Sequence, residues 1–209
     1  MKAKRIPLGD AMQGILEAAK LLNAGKLVAF PTDTVYGLGA HIGLPEAVRA
    51  LYTAKGRPEN RPIPVLVASV EDARKLAKTV PKRAEKLFEA FFPGPLTVVL
   101  PAVDWIPSEV TAGTGSIGVR MPNCQTALEL IKLCGGALAV TSANLSGRAE
   151  AITADEVLQQ IGDRIDAVLD GGKCAGGVPS TVVDLTVDPP ALLRKGALSS
   201  DHVMRLLSE

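Results

Sequence analysis

Aromatic residues are scarce in this 209-residue chain, which holds one Trp, two Tyr and four Phe, or 3% of its length. A protein that reads nucleic acid by stacking bases needs a platform of such rings, and none is visible. Charge of one sign is also missing. Lys and Arg number 23 against 22 Asp and Glu, for a net charge of +1. No global field draws the chain toward a polyanion, so phosphate recognition falls to a local cluster. The three cysteines, Cys124, Cys134 and Cys174, lack any C-x-x-C spacing. With only His41 and His202 to help, they make a poor zinc set and read as reduced thiols of a cytosolic protein. No apolar run approaches the length of a membrane span, and the basic start of the chain leads into no apolar signal segment. The expected location is the cytoplasm, with no membrane partner. The familiar nucleotide loops are absent too. There is no G-x-x-x-x-G-K-[ST], and Gly37, Gly39 and Gly43 fall one residue too far apart for the dinucleotide fingerprint.

What is present is an apolar content of 47%, enough to bury a proper core in one domain over 1–209. Met12, Ile15, Leu16, Ala19 and Leu22 recur at helical spacing, and Asn23-Ala-Gly25 stops that helix before a strand over 26–30. Amphipathic patterns predict further helices over 45–54, 70–78, 81–90, 125–133, 153–161 and 200–207. Short runs, many of them β-branched and bounded by Gly or Pro, predict strands over 63–68, 96–100, 116–120, 137–141, 167–169, 180–185 and 191–194. Helices do not separate every pair of strands. The expected fold class is therefore α/β, a single domain with a twisted mixed sheet that includes some hairpins. Asp170-Gly-Gly-Lys-Cys-Ala-Gly-Gly177 reads as a mobile loop inside it.

Chemistry gathers at the ends of strands. Ala29-Phe-Pro-Thr-Asp-Thr-Val-Tyr-Gly-Leu-Gly-Ala40 runs an apolar strand into hydroxyls and glycines. In an extended segment Thr32 and Thr34 would share one face, with Asp33 and Val35 on the other. Gly37 and Gly39 suit a tight turn with positive φ as well as they suit a ligand approach. Lys55, Arg57 and Arg61 put three cations into seven residues, among prolines that restrict the loop. Charge spacing alone favours a solvated basic loop, whereas a second polar cluster favours a polyphosphate site. That second cluster is Ala139-Val-Thr-Ser-Ala-Asn-Leu-Ser-Gly147, where a strand ends in Thr141, Ser142, Asn144 and Ser146. Read alone, it is as compatible with a cap or an Asx turn as with binding. Ser116-Ile-Gly-Val-Arg120 ends in a guanidinium suited to a carboxylate, and Pro179-Ser-Thr181 and Arg194-Lys-Gly196 bracket two further strands.

Taken in order, Pro31 to Gly39, Lys55-Gly-Arg57, Pro93-Gly-Pro-Leu-Thr97, Gly118-Val-Arg-Met-Pro122, Ser142-Ala-Asn144, Pro179-Ser-Thr181 and Arg194-Lys-Gly196 closely resemble the YrdC-type threonylcarbamoyl-adenylate synthases. The K-x-R and S-x-N pair is the specific part. The resemblance implies a curved α/β sheet with a large concave site, converting L-threonine, bicarbonate and ATP to threonylcarbamoyl-AMP and pyrophosphate. That product would feed threonylcarbamoyladenosine synthesis in tRNA through a downstream tRNA threonylcarbamoyl transferase complex, with direct tRNA contact left open. It further implies that Thr32, Thr34, Arg120, Thr141 and Ser180 hold threonine. Lys55, Arg57, Arg61, Ser116, Ser142, Asn144 and Arg194 would hold ATP, with Lys55 and Arg57 stabilising the developing charge. Some family members carry a histidine where this chain has Leu66. The chain ends at Glu209 without room for the second domain that longer members append, so the short form is expected.

The residue inventory suits that chemistry. A carbamate made from threonine and bicarbonate attacks the α-phosphorus while pyrophosphate leaves, so the protein must position two anions and neutralise charge. Magnesium is expected to ride on ATP, with no protein metal cage, and Asp33 is read as capping a turn or touching a metal shell. Two alternatives differ in class. An RNA-binding module would use Lys55, Arg57, Arg61 and Arg120 without catalysis, but it lacks a stacking platform. A carbamoyl-adenylate domain of a hydrogenase-maturation protein would bring zinc-finger and acylphosphatase-like regions, which three scattered cysteines do not supply.

Overall fold

A computed structural model describes residues 2–9 and 11–208. Among them the order is β1 (Lys4–Pro7), α1 (Ala11–Asn23), β2 (Val28–Phe30), β3 (Gly37–His41), α2 (Pro45–Lys55), β4 (Val65–Val67), α3 (Val70–Leu76), α4 (Lys82–Phe91) and β5 (Leu96–Pro101). It continues with α5 (Ser108–Thr111), β6 (Ser116–Arg120), α6 (Gln125–Leu133), β7 (Ala137–Ser142), α7 (Ala154–Ile161), β8 (Ala167–Asp170), β9 (Thr181–Asp184), β10 (Ala191–Arg194) and α8 (Ser200–Ser208). All ten strands join one sheet in the order β1-β8-β2-β3-β7-β4-β6-β5-β9-β10. The sheet is mixed, as expected. β2/β3, β5/β6 and β9/β10 are antiparallel neighbours in sequence, whereas β8 lies parallel to both β1 and β2.

The sheet separates two cores, and strand alternation assigns residues to them. Ala29, Leu38, Ala139, Val65, Val119, Val98 and Val183 pack on the face covered by α2, α7 and α8. Val28, Phe30, Leu138 and Val140 turn to the opposite face, where α1 and α6 supply Ile15, Leu22, Leu130 and Ile131. That second core reaches across only to Leu66 of β4. Beyond it the alternate residues Thr97, Val99, Ser116, Gly118, Arg120, Val182 and Asp184 line a cavity. One face of the sheet is thus covered by helices, and the other is covered at one end and open at the other.

Three elements differ from the sequence expectation. β3 is absent from the sequence expectation, in which Gly37 and Gly39 suit a tight turn with positive φ as well as a ligand approach, yet neither has positive φ. A Cβ on Gly37 would stand 2.8 Å from Val140 Cγ1, and one on Gly39 would stand 2.8 Å from Phe30 Cε1. These glycines are required by close packing in the centre of the sheet. β1 and α5 each have four residues, too few for a periodic signal. In segment 170–177 Asp170 closes β8, and the rest is irregular but not loose. Cys174 N donates to Ile152 O at 2.8 Å, Gly177 N donates to Thr34 O at 2.7 Å, and the Tyr36 hydroxyl donates to Gly172 O at 2.8 Å.

Candidate active site

Two helix and strand ends build the first half of the site. α2 ends on Gly56 in the left-handed conformation, φ 59°, with Gly56 N bonded to Thr53 O and Arg57 N bonded to Tyr52 O. This Schellman closure leaves Lys55 as the last helical residue and reverses the chain, so that Arg57 heads back into the same cavity. The Lys55 ammonium is only 3% exposed. It donates to the Ser142 carbonyl, to Asn144 O at 2.7 Å and to Asn144 Oδ1 at 3.0 Å. The Ser142 hydroxyl donates to Asn144 Oδ1 at 2.6 Å, and Ser146 N donates to Lys55 O at 3.0 Å. The K-x-R and S-x-N motifs, some ninety residues apart, therefore interlock. Burial pushes the Lys55 amine down to about 8. At neutral pH it is still an ammonium, and its partners are all neutral oxygens.

Arg57 is half-buried and donates to Arg61 O at 3.3 Å and Pro62 O at 2.9 Å. Its pKa is lowered by burial first, then by the neighbouring Arg61 and Arg194 charges. Such a crowd of cations is stable when an anion joins it. Arg61 is exposed at the rim.

The second half is built around Arg120 at the end of β6. Its guanidinium donates to Gly94 O at 3.0 Å, Thr34 Oγ1 at 3.0 Å and Asp33 Oδ1 at 2.5 Å. Both side chains of this ion pair are largely buried, at 7% and 14% exposed. Asp33 therefore pairs with Arg120, correcting the sequence expectation of a turn cap or metal contact. Pro31 to Tyr36 is also not an extended strand. Thr32 Oγ1 accepts from Thr34 N at 3.2 Å and donates to Val35 O at 2.7 Å, so this hydroxyl closes a local turn. Val35 lines the cavity beside Thr32 and Thr34, contrary to simple alternation.

A third group of residues centres on Ser180. Arg194 donates from Nε to Ser180 O and from Nη2 to Ser180 Oγ, both at 2.9 Å, and Thr97 Oγ1 lies 2.8 Å from the same hydroxyl. Ser116 Oγ lies 2.9 Å from Thr114 Oγ1, and both residues line the cavity. Thr141 reaches the cavity with its hydroxyl unbonded among the described residues.

Thr32, Thr34, Lys55, Arg57, Arg61, Ser116, Arg120, Thr141, Ser142, Asn144, Ser180 and Arg194 all line this one cavity of about 760 Å³. Asp33, also singled out from sequence, is not among the lining residues and sits behind them on Arg120. Leu66, 5% exposed, adds an apolar wall with Val140. Thr97, quoted from sequence only as part of a motif, also lines the space, as do Arg148 and Glu150, which sequence reasoning missed. Arg148 and Glu150 closely follow the S-x-N motif, and extending that motif to the next charged positions would have found them.

The Sua5/YciO/YrdC family model, described as telomere recombination, matches residues 20–196. The threonylcarbamoyl-AMP synthase of Pyrococcus abyssi is 44% identical over 192 residues, covering 92% of this chain and 56% of that protein. That of Bacillus subtilis is 40% identical over 190 residues, covering 90% of this chain and 55% of its own length. The chain thus spans about half the length of these curated relatives. The crystal structure of P. abyssi Sua5 complexed with L-threonine superposes with a TM-score of 0.94 at 41% identity, over 100% of this chain and 62% of that one. With its motifs interlocked around one cavity and a model match over most of its length, the chain belongs to the Sua5/YciO/YrdC family.

Proposed function

We propose that this chain makes threonylcarbamoyl-AMP and pyrophosphate from L-threonine, bicarbonate and ATP. The observation that carries the reading is the Lys55 node, in which K-x-R and S-x-N join to present a buried ammonium with neutral partners only. Its charge is uncompensated by any contacting carboxylate and is available to a phosphate. Lys55, Arg57, Arg61, Ser116, Ser142, Asn144 and Arg194 take the nucleotide. Thr34, Arg120, Thr141 and Ser180 take threonine, and Thr32 shapes the turn that carries Thr34. Three Arg120 N–H groups are used internally, and the two that remain can meet a carboxylate. Leu66 and Val140 offer apolar surface to the threonine methyl group.

The Arg194 to Ser180 contact joins the two sets, so the substrates meet near it. Threonine's amine and bicarbonate form a carbamate with loss of water, and a carbamate oxygen attacks the α-phosphorus as pyrophosphate departs. Arg57 holds the oxygens on which negative charge grows, Lys55, whose three N–H groups are used internally, adds its positive charge beside them, and this fixed arrangement lowers the barrier without a covalent intermediate. Magnesium, carried in on ATP, supplies further charge neutralisation at the phosphates. The adenylate passes to a tRNA threonylcarbamoyl transferase complex in the cytoplasm. Pyrophosphate release from ATP, measured with threonine and bicarbonate omitted in turn, tests the reading. Release should require both, with threonylcarbamoyl-AMP detected by mass spectrometry, and equal release without threonine would refute it.

A further inference from the structure

Glu150 is left over by the chemistry above. It lines the cavity, and its Oε2 is buried without a hydrogen-bond partner, alone in that state among buried side-chain atoms of the described residues. Buried polar atoms are almost always satisfied, so an orphaned carboxylate oxygen facing a cavity calls for a donor or cation brought by a ligand. Its position narrows the choice. The Glu150 charge acts on Lys55 and Arg194, both in the nucleotide set, yet it forms an ion pair with neither. Arg120, in the threonine set, instead responds to Asp33, Arg194 and Cys124.

A bare carboxylate among phosphate-binding cations repels a polyphosphate. A divalent cation between them turns that repulsion into attraction. Magnesium commonly takes one or two carboxylates and completes its shell with phosphate oxygens and water. The described residues contain no group of three or more His, Cys, Asp or Glu side chains able to hold a metal alone, so the ion would arrive with the nucleotide. Asp184, the other carboxylate lining the cavity, already accepts from Thr186 N at 2.8 Å and Thr186 Oγ1 at 2.7 Å. Glu150 has no such engagement.

We propose that Glu150 is the protein's own ligand to the divalent cation of the bound nucleotide. The proposal rests on the nucleotide half of the function above. Mn2+ provides a spectroscopic probe. Its affinity for the protein with a non-hydrolysable ATP analogue is measured by electron paramagnetic resonance, and analogue binding without metal is measured by calorimetry in EDTA. Glu150→Gln, nearly isosteric, should weaken Mn2+ binding to the loaded protein by about 10- to 100-fold, the range typical for removing a group that supports a metal site. Metal-free analogue binding should be unchanged or tighter, because a repulsive charge is gone. Glu150→Asp should fall between the two proteins in Mn2+ affinity. Unchanged Mn2+ affinity in Glu150→Gln would overturn the proposal. Equal weakening with and without metal would overturn it in favour of a nucleotide hydroxyl or amine, and weakening confined to threonine would do so in favour of the substrate ammonium. Failure of the unaltered chain to bind the analogue at all would overturn the nucleotide reading itself.

Discussion

Lys55 and Arg120 are both buried cations of the same cavity, and their partners set them apart. Lys55 is surrounded by carbonyl and amide oxygens, so its positive charge is undiminished. Arg120 is bound to the Asp33 carboxylate, so the pair is close to neutral and what it offers is a fixed fork of N–H groups. One node supplies charge and the other supplies geometry. This matches the needs of the two proposed substrates: ATP brings several negative charges, whereas threonine brings one carboxylate that must be oriented.

The sharpest way to break the comparison is to remove Arg120 on one side and Arg57, the neighbour of Lys55, on the other, and to measure stability as well as activity. Arg120→Ala strands the Asp33 carboxylate in a largely buried site, and breaking such a pair costs about 3 to 5 kcal/mol. Urea unfolding should register that loss, and Asp33→Asn combined with Arg120→Ala should recover part of it. Arg57→Ala should leave stability nearly intact, because it loses only two bonds to carbonyls of its own loop. Its effect should appear in the rate, as a drop of about 100- to 1,000-fold, or roughly 2.7 to 4 kcal/mol. Parental turnover by a folded Arg57→Ala protein would mean that the loop is merely a basic surface.

Arg120→Lys sharpens the comparison by keeping charge and discarding the fork. Losing one charge-assisted hydrogen bond, about 1.5 to 3 kcal/mol, should weaken threonine binding by roughly 10- to 100-fold while ATP binding survives. Calorimetric titration with each ligand would detect the reverse pattern if the assignment were wrong. The smallest effect is one of pH. Since burial brings Lys55 down to about 8, ATP affinity should decline above that pH, by about tenfold per unit at most for a single linked proton. Stability should move the other way. Between about 8 and the ordinary lysine value the unfolded chain holds the proton that the folded one releases, so Lys55's contribution to stability rises with pH. A pH-independent ATP affinity across that range would remove the charge role from Lys55.

Which residues line the cavity was more legible in the sequence than the details of the sheet that carries them. Motif residues have side chains chosen for chemistry, and their types and order survive reading one at a time. β3 was hidden because its glycines look like turn residues until Val140 and Phe30 are seen pressing on them. The Asp33 to Arg120 pair spans 87 positions, and no local pattern predicts which carboxylate folding brings to a guanidinium. The isolation of Glu150 was equally invisible, since lacking a partner is a property of the packed molecule.

The half-open sheet has a consequence for variation. Along β5, β6 and β9, Thr97, Val99, Gly118, Arg120 and Val182 form the cavity floor, while Val98, Ile117, Val119 and Val183 between them fill the core behind it. A deep mutational scan of these strands should therefore alternate residue by residue, one position selected by ligand and the next by folding. Specificity could then drift along these strands through replacements at floor positions alone, leaving the intervening residues that hold the domain together untouched.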